Sequence, residues 1–149
     1  MIATMGNVFY FDWEFDLLYW FQGLHNPVLD KIVVAITSLG NAGIFWILLT
    51  IAMLIFCKDK KVAWTSALAL LFSLLVINVF LKNTVMRARP CWIDDSVTLL
   101  VKNPKDYSFP SGHSSASFAS AVSIVQYARY RKQGIAAVVL AALIAISRM

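Results

Sequence analysis

The stretch Phe109-Pro110-Ser111-Gly112-His113-Ser114-Ser115-Ala116 sets a helix-capping serine, a glycine and a histidine just ahead of a run of small residues. Ser111 is a good N-cap, because its hydroxyl accepts from the free amides of a first helical turn. The backbone N–H groups of Gly112, His113 and Ser114 are expected to point outward. A helix N-terminus offers such donors and a positive dipole end to a phosphate. Gly112 lets a ligand approach the backbone closely, and His113 can hand a proton to a leaving oxygen. Lys82, Arg87 and Arg89 gather cations upstream, and Arg148 ends the last apolar run. Arg presents a planar fork that fits phosphate bidentately, and Lys a point charge. An Arg at the end of an apolar helix is costly if unpaired, which makes Arg148 a candidate ligand-binding residue, with snorkelling to headgroups as the plainer alternative. The chemistry expected of this set is capture of an anion, with proton delivery from His113.

The elements that must position these residues are apolar. Ile32 to Cys57 carries no charged residue over 26 positions, Val62 to Leu81 none over 20, Tyr107 to Ala128 none over 22 and Gln133 to Ser147 none over 15. A helix needs about 20 apolar residues to cross the hydrocarbon of a bilayer. Two runs are long enough, the third becomes a span once its polar mouth is removed, and the last is short. Gly40-Asn41-Ala42-Gly43 interrupts the first run, which is either one tilted span or, as we expect, two helical pieces. Such a break is tolerated in a membrane only where protein or water covers the freed backbone. Phe9 to Phe21 is rich in aromatics, with Asp12 as the expected N-cap, and reads as an interfacial or partly inserted helix. His25 follows in the break from Gly23 to Pro27, where a lone histidine is ordinarily a solvated loop residue. Ser114 to Ala121 offers small residues for close helix packing in lipid.

Composition agrees with the runs. The chain is 60% hydrophobic and 14% charged, against roughly 45–50% and 25% in soluble domains. The predicted fold class is all-α, a multi-span integral membrane helical bundle. Acidic Asp12, Glu14 and Asp16 stand where a cleavable signal would be basic. Cys57 and Cys91 lie near opposite ends of the 62–81 span, so neither a disulfide between them nor a cysteine metal site is expected. The net charge of +5 is split among separate short loops, which suits anionic headgroups and leaves no continuous basic face for nucleic acid. Threading the spans returns Lys82, Arg87, Arg89, Ser111, Gly112, His113 and Arg148 to one side of the membrane. The turns at 58–61 and 129–132 share the other, with six Lys/Arg against five in the 82–108 loop. The positive-inside rule puts those short turns in the cytoplasm, and the loop cations are read as serving a ligand.

With these residues placed, Lys82-Asn-Thr-Val-Met-Arg-Ala-Arg89-Pro90 resembles the KxxxxxxRP motif of the type 2 phosphatidic acid phosphatase family, the membrane lipid phosphatases. Pro110-Ser111-Gly112-His113 is similar to that family's PSGH motif, and Ser147-Arg148 looks like the start of its third motif, SRxxxxxHxxxD. The resemblance runs from about Leu24 onward. It implies that Lys82, Arg89 and Arg148 hold the phosphate oxygens, with backbone donors from Ser111 and Gly112, and that His113 is the general acid. In the family the third-motif histidine attacks phosphorus, an aspartate orients it, and no metal or other cofactor is required. Positioning and charge stabilisation then carry most of a phosphoryl transfer. The implied function is hydrolysis of a phosphomonoester or diphosphate from a membrane lipid, of polyprenyl diphosphate or phosphatidate type. The compact loops resemble bacterial members acting on undecaprenyl diphosphate or phosphatidylglycerol phosphate, with the site on the extracytoplasmic side of the cell membrane.

The third-motif histidine and aspartate fall beyond Met149. We therefore expect residues 1–149 to be a single phosphatase-like domain, incomplete at its C-terminus, with 1–26 interfacial and 28–149 forming the core spans. The alternative is an inactive membrane protein that binds lipid phosphates or partner helices.

Overall fold

A computed structural model describes residues 7–101 and 104–148, and the expected interfacial segment therefore begins outside the described residues. Every regular element there is helical, apart from one isolated bridge between Asn7 and Arg87. Helix α1 is Asp12–Gln22 and α2 is Pro27–Leu39. A 3-10 turn at Asn41–Gly43 leads into α3, Ile44–Phe56. Helix α4 runs unbroken over Lys60–Val85, with a π-helical segment at Ser73–Leu81. Short α5 is Pro90–Ile93, α6 is Gly112–Val125 and α7 is Arg131–Ile146.

The starts of these helices follow from local chemistry. Asn26 accepts from the Val28 and Leu29 amides, with Pro27 in the first turn. Asp59 accepts from the Lys61 amide at the head of α4. At α1 the expected cap is displaced by one residue. Phe11 is the N-cap, Asp12 begins the helix, and Glu14 reaches back to accept from the Phe11 N–H at 3.1 Å. Glu14 can do this because its side chain spans three residues, which the shorter Asp12 cannot.

The interruption expected at Gly40–Gly43 is present. The paired helices α2 and α3 bend by 43° there. Ala42 sits at φ 50° and Gly43 at φ 66°, a left-handed pair that turns the chain sharply. For alanine this conformation costs about 1 kcal/mol or more, so the surrounding packing must hold it.

Helices α6 and α7 form the most extensive pair, and α6 also packs on α4 and α3. The core is small: Trp46, Ala121, Ala141 and Ile144 form one cluster, and Met53, Val62, Ala63 and Ile124 another. Polar contacts run through it. Thr50 and Ser66 hydroxyls meet at 2.8 Å, Ser66 and Ser120 at 2.8 Å, and the Trp46 indole N–H donates to Ser117 at 2.8 Å. Ser66, Ser117 and Ser120 are fully buried, whereas Phe56 is 82% exposed and Phe72 68%. Polarity is thus inverted relative to a water-soluble bundle, where such side chains change places.

Span lengths are more modest than expected. Among the described residues α4 alone is long and apolar enough to cross a bilayer, and the bent pair α2–α3 makes a second if counted as one. The helix expected over 110–128 has 14 residues and the last has 16. The polar mouth consumes the first run, and Ala128–Tyr130 breaks off a 3-10 turn before the second. Cys57 and Cys91 are not disulfide-bonded.

Candidate active site

A cavity of about 600 Å³ lies where α1, α2, α4, α6, α7 and the 86–111 loop meet. Lys82, Arg89, Ser111, Gly112, His113 and Arg148 all line it. The residues singled out from the sequence thus converge, although 66 positions separate the first from the last.

Each arrives on its own element. Lys82 extends from the last turns of α4, just past the π-helical segment. Arg89 stands at the head of α5, in extended backbone before Pro90. Ser111 caps α6, and the peptide before it, Phe109–Pro110, is cis. The capping bond runs from the Ser114 N–H to the Ser111 hydroxyl at 3.3 Å. This corrects the expectation of an outward Ser114 amide, because the cap that shapes the mouth consumes it. The Gly112 and His113 amides remain first-turn donors without helical acceptors. A Cβ at 112 would collide with the Asn78 side-chain oxygen, so any larger residue there would make Asn78 turn away. Arg148, half-buried at the end of α7, donates to the buried Thr37 hydroxyl on α2 at 3.3 Å.

One carboxylate organises the cationic side. Asp106 accepts from Lys82 at 2.5 Å and from the Arg89 guanidinium at 2.7 Å, while the Arg89 Nε donates to the Asp106 backbone carbonyl at 2.7 Å. Burial alone would raise the Asp106 carboxyl. Hydrogen bonds and charge from Lys82 and Arg89 outweigh burial and hold it at about 2. An anion is therefore already seated between the two cations, on a side chain still 54% exposed.

Sequence reasoning did not single out Asp106, Asn41 or Thr37. Asp106 is a lone acid in a cation-rich loop, and its pairing with residues 17 and 24 positions away leaves no spacing signal. Asn41 was visible only as part of a helix break, yet its side-chain oxygen lies 3.1 Å from His113 Nε2. Arg87, placed on the same face, also lines the cavity, and its side chain is held by the N-terminal segment. It pairs with Glu14, donates to the Phe9 carbonyl and lies over the Phe9 ring. His25 does not line the cavity.

A second cavity, of about 620 Å³, shares Lys82, Asp106, Gly112 and His113 with the first. It runs between α3 and α4 over Ile47, Ile51, Leu70, Leu71 and Leu74. A cationic chamber and an apolar one thus share a wall, of which His113 is part.

Over 97 residues the chain is 28% identical to an undecaprenyl-diphosphatase of Sulfolobus acidocaldarius, covering 65% of this chain and 46% of that protein. The chain thus spans about half the length of that relative. No solved structure matches. The model of the PAP2 superfamily matches residues 62–149, which include most of α4, Lys82, Arg89, the capped mouth of α6 and Arg148, and the chain belongs to that superfamily.

Proposed function

We propose that the protein is an integral membrane phosphohydrolase, a single domain that removes phosphate from a lipid mono- or diphosphate. The observation that carries this reading is a cationic cavity and an apolar one that share a wall, which suits an amphipathic anion. The head group would replace the Asp106 carboxylate between Lys82 and Arg89, with Arg148 and the Gly112 and His113 amides completing the cradle. His113 would protonate the leaving oxygen. The apolar tail would lie between α3 and α4. Three fixed cations supply the charge stabilisation that a metal gives elsewhere, so activity is expected to persist in a chelator. The attacking group would be a histidine of the third motif that Ser147-Arg148 begins, through a phosphohistidine.

The inverted polarity of the bundle supports lipid as its surroundings, because exposed Phe56 and Phe72 and buried serines are favourable only there. Helices α6 and α7 would then cross with their neighbours as a multi-span bundle. The basic turns at 58–61 and 129–132 lie at the opposite end from the cavity, which supports an outward-facing site in a cell membrane. The similarity to an undecaprenyl-diphosphatase supports polyprenyl diphosphate as substrate.

The test fills the tail groove. Ile51→Trp is expected to raise KM for a long-chain lipid phosphate about tenfold, the equivalent of roughly 1.4 kcal/mol, and to leave hydrolysis of a short soluble phosphomonoester unchanged. Equal effects on both substrates would remove the groove from the account.

A further inference from the structure

The break between α2 and α3 has so far been given only a structural role, but its residues lie against the imidazole at the mouth of α6. We infer that Asn41 is a positioning residue for His113, holding its ring as the Nε2–H tautomer. The Asn41 side-chain oxygen lies 3.1 Å from His113 Nε2, where it accepts a hydrogen bond from that nitrogen. Gly40 brings the backbone against the same ring, since a Cβ there would stand 2.7 Å from the imidazole Cδ2. Ala42 and Gly43, both at positive φ, make the turn that presents Asn41. A strained residue, here Ala42, beside a reactive side chain is the pattern expected where precise placement is needed. The charged groups around the ring, Lys82, Arg89, Asp106 and Arg148, come from α4, the loop and the end of α7, and no carboxylate among the described residues is bonded to Nε2. A neutral amide therefore orients the ring, without the added negative charge of a carboxylate partner.

This inference rests on the acid role proposed for His113 and makes it specific. With Nε2–H held, Nδ1 is where the ring gains and loses its proton. The ring first gains a proton at Nδ1 from water and becomes the imidazolium; as the bond from phosphorus to the leaving oxygen breaks, that oxygen keeps the electron pair and takes the Nδ1 proton. The attacking imidazole supplies the new bond to phosphorus. His113 ends neutral, with Nε2–H still on Asn41.

In 15N-histidine-labelled protein in detergent micelles, the ring nitrogen resonances of His113 are assignable as those lost in His113→Gln, whatever other histidines the full-length protein carries. At a pH above about 8, where an ordinary imidazole is neutral, His113 is expected as the Nε2–H tautomer. An Nδ1–H tautomer would overturn the inference from the wild-type spectrum alone. Asn41→Leu, which keeps the size and removes the acceptor, is expected to give mixed tautomers. Asn41→Asp, which keeps an acceptor, is expected to retain Nε2–H, and an Nε2–H ring unaffected by loss of the acceptor in folded Asn41→Leu contradicts the inference. In turnover, Asn41→Leu is expected to lower kcat by up to about 100-fold with KM within a few-fold, and Asn41→Asp to recover most of it. Full activity in His113→Gln would remove the acid role while leaving the tautomer result standing, so the two failures are distinguishable.

Discussion

At the scale of single residues, the account turns on Asp106. Its carboxylate lies between Lys82 and Arg89, where the proposed function puts a phosphate, so on that reading it would compete with ligand. Asp106→Asn is therefore expected to tighten inhibition by inorganic phosphate or vanadate, by roughly tenfold if one charge contact is relieved. Weaker inhibition in Asp106→Asn would mean that the carboxylate instead holds the two cations in place for the ligand. The same residue has a pH signature. Its carboxyl is held at about 2 in the fold, below the ordinary aspartate value of about 3.9. A depressed carboxyl stabilises the fold fully above the unfolded value and loses that contribution as pH falls from about 4 to 2. Acid titration of stability should show this component in wild type and lack it in Asp106→Asn, while both behave alike from pH 5 to 8. Arg89→Lys tests the cation itself. Lysine cannot reproduce the fork that reaches both the Asp106 carbonyl and its carboxylate, and a loss of at least tenfold in kcat/KM is expected. The six residues of the cavity that were readable from sequence carry short-range signals: a capping serine, a glycine beside it, and cations in apolar surroundings. Asp106 and Asn41 were not readable, because each acts through a partner far away in the chain.

At the scale of elements, two glycines make the packing testable. Gly134 in α7 faces the backbone of Val125 at the end of α6, and a Cβ there would meet that backbone within bonding-forbidden distance. Backbone cannot rotate away as a side chain can. Gly134→Ala is expected to destabilise the α6–α7 pair by about 1–3 kcal/mol, read as a lowered Tm in detergent with the active fraction unchanged. Gly40→Ala should behave differently. Its Cβ would press on the His113 ring and on Ile144, so catalytic loss should exceed the loss of stability. The order of helices, the break before α3 and the Ser111 cap follow from punctuation by Gly, Asn, Pro and Ser, and these were legible. Helix lengths were not. The π-helical segment of α4 and the 3-10 turn at Ala128–Tyr130 are choices among near-equal backbone hydrogen-bond patterns, decided by the neighbours each segment meets.

At the scale of the whole molecule, the bundle is apolar outside and hydroxyl-rich inside, and the site sits at one end of it. Composition made the apolar exterior legible, because a chain with so few charged residues cannot cover itself with polar groups. That the two cavities share a wall was not legible, since residues far apart in the chain line both. That shared wall defines the central claim: a lipid phosphate is held by its head in the cationic chamber and by its tail in the groove, and is cleaved at His113. The most direct test is phosphate release from undecaprenyl diphosphate by the protein purified from its native membrane, compared with His113→Gln made in the same protein. The account predicts release by wild type and a fall of at least about 100-fold in His113→Gln, with lipid still bound. Equal release by both proteins, or phosphate binding by wild type with no release, would contradict it.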